Sequence, residues 1–214
     1  MRVYVRAARE HDIDLIAWAQ QEAARSHLPR GLWDFAFPGP ETDRLRVIAR
    51  VANSSVRSSC HWSGFWIAEV DDRPAAAIAG YAMSPTAAGL AWVSAMQEAV
   101  EAERWSVARC DAMWARLAPL WTCSPRIPEG AWVLEWAATR PEHRGKGLLR
   151  ALLTAAVDEG RRRGHTEVHL SVLIGNLAAR RAYERAGFCV VEELRHPDFA
   201  SALGSPGMWR MLMR

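Results

Sequence analysis

The stretch RPEHRGKGLLRALL (residues 140–153) decides how the rest of the chain is read. A proline and two glycines sit among Arg140, Arg144, Lys146 and Arg150, and leucines at helical spacing follow at once. Upstream, AWVLEWAA (131–138) is an apolar run of strand length. The segment therefore reads as a strand, a tight turn, and a helix that opens near Gly147, runs to about Arg163 and stops at Gly164. The first turn of a helix leaves N–H groups without partners, and the macrodipole makes that end positive. Gly145 and Gly147 remove the side chains that would keep an anion away, while Arg144 and Lys146 add positive charge. A phosphate or pyrophosphate suits such an end. A tight turn carrying solvated basic residues would use the same letters. Two familiar phosphate motifs are absent: no glycine stands five residues before Gly145, and Arg150 fills the last position of G-x-G-x-x-G.

Nearer the N-terminus, VYV (3–5) is a short strand, and HDIDLIAWAQQEAAR (11–25) is a helix with His11 or Asp12 near its cap. Residues 26–41 read as a loop rich in Pro, Gly and aromatics, and 42–59 as a second helix capped by Thr42. GFWIAEV (64–70) and AAAIAGYAM (75–83) flank the turn signal DDRP. Residues 86–121 are helical in composition, as one amphipathic helix or two, and the prolines at 119, 125 and 128 end them. Their apolar face either packs on the domain or forms a dimer seam. EVHLSVL (167–173) is a strand, NLAARRAYERAG (176–187) a helix, and FCVVEEL (188–194) and GMWRMLM (207–213) are closing strands. The order β-α-α-β-β-α-β-α-β-α-β-β describes one α/β domain with a mixed sheet.

Composition sets the limits. The 214 residues are 50% hydrophobic and 24% charged, with a net charge of only +3, which argues against a dedicated nucleic-acid binder. The basic run at 161–163 sits at a helix end, where cations suit the dipole. Cysteines at 60, 110, 123 and 189 form no C-x-x-C pair and join no histidine motif, so no metal site is expected. Unpaired cysteines, no apolar leader and no run of membrane-spanning length are what a cytoplasmic protein without membrane association shows. The 11 tryptophans are many: some belong to the core, and others suit a cavity wall.

LSVLIGNLAARRAYERAGF (170–188) places Asn176, Ala179, Tyr183, Gly187 and Phe188 behind a strand. Asn176 and Tyr183, two helical turns apart, share a face. Here the chain resembles the GNAT superfamily of acyl-CoA-dependent N-acyltransferases. Asn176 to Phe188 matches that family's N-x-x-A-x-x-x-Y-x-x-x-G-F signature. Arg144-Gly145-Lys146-Gly147-Leu148-Leu149 resembles its [Q/R]-x-x-G-x-[G/A] pyrophosphate loop, with Leu149 standing where Gly or Ala is usual. The resemblance is strong over 131–195; upstream, only the order of elements supports it.

The resemblance implies a single domain over 1–214. It would be a mixed, largely antiparallel sheet flanked by helices, with a helical insertion at about 86–130 before the fourth strand. Acetyl-CoA, or another acyl-CoA, is the implied co-substrate. Backbone groups of Ala137, Ala138 and Thr139 would meet its pantetheine arm. N–H groups from Gly145, Lys146, Gly147, Leu148, Leu149 and Arg150, beside Arg144, would hold its pyrophosphate, and Asn176 would touch the arm. Tyr183 would sit near the thioester sulfur as general acid; a half-buried helix aromatic is its other reading. Asn176 is equally a helix cap.

Glu135, in an apolar strand where burial would raise its pKa, is the candidate base; a solvated or arginine-paired carboxylate is the alternative. Ser171 occupies the position on the next strand where family members place a further carboxylate. His143 and His169 are weaker candidates. Trp33, Asp34 and Phe35 lie in the segment that often covers the acceptor, where rings beside a carboxylate suit a cationic amine. A loop fixed to the core by its rings would look the same. The implied reaction is N-acetylation of a primary amine on a small molecule or peptide, with a homodimer open. A non-catalytic acyl-CoA-binding or regulatory module is the competing reading.

Overall fold

The computed structural model describes residues 2–214. Its strands are β1 (Val3–Ala7), β2 (Phe65–Val70), β3 (Arg73–Ala82), β4 (Trp132–Thr139), β5 (Val168–Leu173), β6 (Cys189–Arg195) and β7 (Gly207–Met213). Its helices are α1 (Ile13–Arg25), α2 (Leu32–Ala36), α3 (Glu41–Ala52), α4 (Pro85–Ala102), α5 (Val107–Leu117), α6 (Leu148–Arg162), α7 (Leu177–Arg185) and α8 (Pro197–Leu203). The strands form one sheet in the order β1-β2-β3-β4-β5-β7-β6. Every neighbouring pair is antiparallel except β4 and β5. The expected mixed, largely antiparallel α/β architecture is what is found.

The central strands are apolar on both faces because helices cover both. On one face Leu148, Leu152, Ala156 and Val157 of α6 pack against Trp132, Leu134, Ala76 and Ile78. On the other, Leu15, Ile16 and Ala19 of α1 meet Phe65, Ile67, Ala77 and Ala79. A third cluster joins α2, α3, α4 and α5 through Trp33, Val47, Ile48, Met96 and Met113. The segment between β3 and β4 is thus covered by the protein's own helices.

Several boundaries differ from expectation. The helix read over 42–59 begins at Glu41, with Pro40 rather than Thr42 at its cap, and ends at Ala52. Serines compete for the backbone beyond it: Ser54 Oγ donates to Glu98 at 2.7 Å and the Ser55 N–H at 3.0 Å. The loop read over 26–41 contains α2, whose start is closed by Asp34 accepting the Gly31 N–H at 2.9 Å. The long helical stretch divides where Arg104 turns left-handed (φ 54°), and Ser106 caps α5 by accepting the Arg109 N–H. The short helix α8 had no periodic signal.

The α6 face depends on one close approach. The Trp132 indole donates to the Ala156 carbonyl at 2.9 Å, and Gly160 lies against its ring. A Cβ on Gly160 would stand 2.6 Å from the Trp132 ring carbons. Gly160→Ala should therefore destabilise by about 1–3 kcal/mol despite better helix propensity. A lower denaturant midpoint at unchanged slope is the expected result.

Candidate functional site

The parallel pairing of β4 with β5 covers only Trp132–Leu134 against Val168–Leu170. Beyond Leu134 the two strands part, while β4 stays paired with β3 through Ala138 and Thr139. The β5-facing edge of β4 from Glu135 onward therefore has no strand beside it among the described residues. The β3–β4 register shifts at the same place: Ala77 pairs with Ala138 but Ala79 with Glu135. Two residues, Trp136 and Ala137, oppose one. This is a β-bulge, and Trp136 has the left-handed φ of 57° that it requires. A non-glycine residue there costs about 1–2 kcal/mol. The bulge breaks alternation, so Trp136 packs on the α1 side, the side to which Glu135 also belongs, and Ala137 on the α6 side.

At one end of the opening stands α6. Gly147 is its cap residue with φ 80°, and Gly145 has φ 74°; both look onto open space. No side chain caps this terminus. The first intrahelical bond, from the Ala151 N–H to the Gly147 carbonyl, leaves the N–H groups of Leu148, Leu149 and Arg150 without helical acceptors. Lys146 and Arg144 are exposed, and Arg144 donates to the Thr139 carbonyl at 3.2 Å and lies 3.8 Å from Glu22. Leu149 is half-buried against the α6 core, directed away from the solvent side of the turn. The larger side chain therefore leaves the amide cradle open, which fits a diphosphate.

Tyr183 packs on the same core as Leu149 and Ala137, edge-on to Phe188 at 6.2 Å. Burial pushes its phenol up to about 12, and its hydroxyl has no hydrogen-bond partner among the described residues. Asn176 is a cap: its Oδ1 accepts the Ala179 N–H at 3.0 Å and its Nδ2 donates to Ser26 at 2.6 Å. Both ends of the carboxamide are engaged, which favours the capping reading over contact with a cofactor arm.

Glu135 lies on the opposite face from Tyr183. Burial pushes its carboxyl up to about 7, with the nearby Tyr81 hydroxyl opposing the rise. No cation pairs with it among the described residues. Cys60 lies near it: burial and the nearby Glu135 charge raise the Cys60 thiol. Glu135, Tyr81, Trp92 and Trp136 are each half-buried. Tyr81, Cys60 and Trp92 were not expected here; only the alternation along β3, which puts Tyr81 on the face of Ala77 and Ala79, pointed to the first.

The expected acceptor residues need correction. Asp34 is buried and accepts from Arg25 at 3.0 and 3.1 Å, from Arg44 at 3.1 Å, from Gln21 and from the Gly31 N–H. Burial would raise its carboxyl, but Arg25, the Gly31 N–H and Arg44 together hold it below the usual range. Its charge is neutralised inside the fold, so it offers none to a substrate. Trp33 is 0% exposed and forms the floor beneath Trp92 and Trp136, at ring distances of 6.4 and 5.7 Å. Phe35 is half-buried with the Arg30 guanidinium 4.4 Å over its ring. The indole N–H groups of Trp33 and Trp136 are buried without acceptors. Ser171 is half-buried opposite Arg210 on β7. His169 is buried between Glu167 and Arg210, and His143 lies in the turn beside Lys146.

All four cysteines are free, and no group of three or more His, Cys, Asp or Glu forms a metal-holding cluster among the described residues. Nor is any described helix long and apolar enough to cross a membrane.

An opened parallel pair, a bulge beside it and an uncapped glycine turn lie together at this site. The profile of the acetyltransferase (GNAT) family matches residues 31–188, and the chain belongs to that family. Comparison with curated protein sequences finds no match. Among solved structures it is similar to an acetyltransferase at 17% identity, with 99% of this chain and 98% of the other covered and a TM-score of 0.71. It is also similar to an N-acetyltransferase from Staphylococcus aureus Mu50 at 17% identity, covering 98% and 100%, with a TM-score of 0.65. PaiA N-acetyltransferase from Thermoplasma acidophilum, in complex with coenzyme A, matches at 14% identity over 100% and 99%, with a TM-score of 0.51.

The raised Glu135 carboxyl has a consequence for stability. Its folded pKa of about 7 exceeds the ordinary 4.5, so folding favours the protonated form. That contribution is complete below about 4.5 and is lost as pH rises through about 7, up to about 3 kcal/mol in all. Glu135→Gln should therefore gain stability relative to the wild type between pH 5 and pH 8. Denaturant titrations at the two pH values would show it; a constant difference would mean that Glu135 is not desolvated.

Proposed function

We propose that the protein transfers an acetyl group from acetyl-CoA to a primary amine by direct attack. The observation that carries this reading is the parting of β4 and β5 beyond Leu134, with Tyr183 on one face of the sheet and Glu135 on the other. An acyl donor lying in that opening is reachable from both sides.

Each residue then has a physical task. The free amides at the start of α6, with Arg144 and Lys146, bind the diphosphate. The unpaired edge of Ala137–Thr139 offers hydrogen bonds to an extended amide-bearing arm, as a missing strand would. Glu135 takes a proton from the bound ammonium, so that a neutral amine attacks the thioester carbon. The N–C bond forms and the C–S bond breaks with negative charge moving to sulfur, and the second proton shed by the new amide nitrogen balances that charge, leaving a neutral amide and a thiol. Tyr183 donates its O–H toward that sulfur. A thiol ordinarily titrates near 8.5, so complete proton transfer from a phenol at about 12 is uphill in water. The burial that raises the phenol raises the adjacent thiol as well, and a hydrogen bond already stabilises the developing thiolate.

Acetyl-CoA at a hundred times its dissociation constant should stabilise the fold by about 2.7 kcal/mol in a thermal shift assay, and amines should elicit thiol release. Tyr183→Phe should lower kcat by about 10²-fold or more with acetyl-CoA affinity unchanged in calorimetry; undiminished kcat would remove Tyr183 from the chemistry. Since only ionised Glu135 accepts a proton, kcat/KM should rise with pH through about 7. Glu135→Gln should lose that limb.

A further inference from the structure

The acceptor side of the cleft is built almost wholly of indole. Trp136 shares the α1 side with Glu135 because of the bulge. Trp92 of α4 is joined to Trp136 through Trp33, whose ring lies 6.4 Å from Trp92 and 5.7 Å from Trp136. Trp33 lies beneath both. Trp114 of α5 stands 5.9 Å from Trp92, and Trp121, 44% exposed, stands 5.4 Å from it and forms the rim. Five rings from five separate elements converge here, three of them from the segment between β3 and β4.

Most of the charges near this wall are matched, although Glu101 and Asp111, which line a cavity with Trp114, have no cation partner among the described residues. Asp34 is held by Arg25 and Arg44. Arg116 donates to the carbonyls of Phe35 and Ala36. Glu98 accepts from Ser54 and Ser55, and Glu103 pairs with Arg46 and Arg50. The Arg109 guanidinium lies 3.6 Å over Trp105, and that of Arg30 over Phe35. Glu135 has no cation partner among the described residues and no second carboxylate among the groups that act on its charge, whereas Glu98, which also lacks a cation, is held by Ser54 and Ser55. A polyamine held at Glu135 would need a second carboxylate beside it, and none acts on its charge. An amino acid, or a peptide presenting polar backbone, would need a cation or hydrogen-bonding groups that ring faces do not supply.

From this wall and the carboxylate of Glu135 beside it we infer that the acceptor is a small monoamine with an aromatic or other flat apolar body. Its ammonium lies at Glu135 and its body against Trp92, Trp136 and Trp121. The inference rests on the acetyl-transfer reading above and assigns that reaction its substrate class. Ring faces attract the ammonium and contact the flat body with little loss of conformational freedom.

The test measures thiol release from acetyl-CoA with 2-phenylethylamine, tryptamine, n-butylamine, spermidine, lysine and an alanyl-terminated tripeptide, with acetyl-CoA binding followed separately by calorimetry. The aromatic monoamines should exceed spermidine, lysine and the peptide in kcat/KM by about 100-fold or more. Trp121→Ala, a change at an exposed rim position, should raise KM for 2-phenylethylamine by about tenfold while leaving acetyl-CoA affinity alone. Trp92→Phe should retain more activity than Trp92→Ala. If acetyl-CoA binds and a polyamine, an amino acid or the peptide is the better acceptor, the substrate class is overturned and the transfer reaction stands. Equal rates for n-butylamine and 2-phenylethylamine would also overturn it. If acetyl-CoA binds and no amine elicits thiol release, the transfer reading itself falls and the inference falls with it.

Discussion

The arrangement depends on two strands that cease to pair. Parallel strands normally keep their ladder, because each abandoned N–H and C=O must find another partner. Here β4 leaves β5 after three residues, and a bulge at Trp136 re-aims the remainder of β4. The left-handed Trp136 backbone is a standing cost, held in place by packing against the α1 and helical-insertion cores. Without it, simple alternation would carry Glu135 and Trp136 to opposite faces. The strain thus makes one wall of both residues and leaves hydrogen-bonding groups exposed along the gap.

The two sides of that gap are electrostatically unlike. On the α6 side the field is positive and open to solvent, from an uncapped helix terminus, Arg144 and Lys146. On the α1 side a lone carboxylate stands among indoles, in surroundings that hold it near neutrality. Charge that would disturb this contrast is confined to closed clusters such as Asp34 with Arg25 and Arg44. A buried ion pair is weak support for stability in itself. Its effect here is to fix α2 against α1 and α3, so that Trp33 forms a rigid floor.

The nucleotide-facing half was legible in the sequence because its chemistry lies in backbone and glycine. Gly145, Gly147 and Gly187 announce left-handed positions, and Asn176 announces a cap, whatever surrounds them. The seven strands were legible from period and composition. The acceptor half was not. Asp34 beside three aromatics looks the same whether it faces a substrate or two arginines, since those arginines come from α1 and α3. Tyr81 and Cys60 meet Glu135 through a register shift and a turn that no local pattern encodes. The end of α3 at Ala52 likewise depends on Glu98, 44 residues beyond Ser54.

That difference arises from how each half is made. An anion cradle needs only peptide groups in one conformation, and a short run of sequence specifies it. A site for an amine body on the proposed reading needs side chains from α2, α4, α5 and β4 to meet at ring distances of 5.7 to 6.4 Å. Such meetings belong to tertiary packing. The segment between β3 and β4 can therefore change its rings without touching the glycine turn or the tyrosine helix. On the proposed reading, chemistry and acceptor choice would reside on separate elements that meet at Glu135 and the bulge beside it, and such a separation would let one catalytic frame serve different amines.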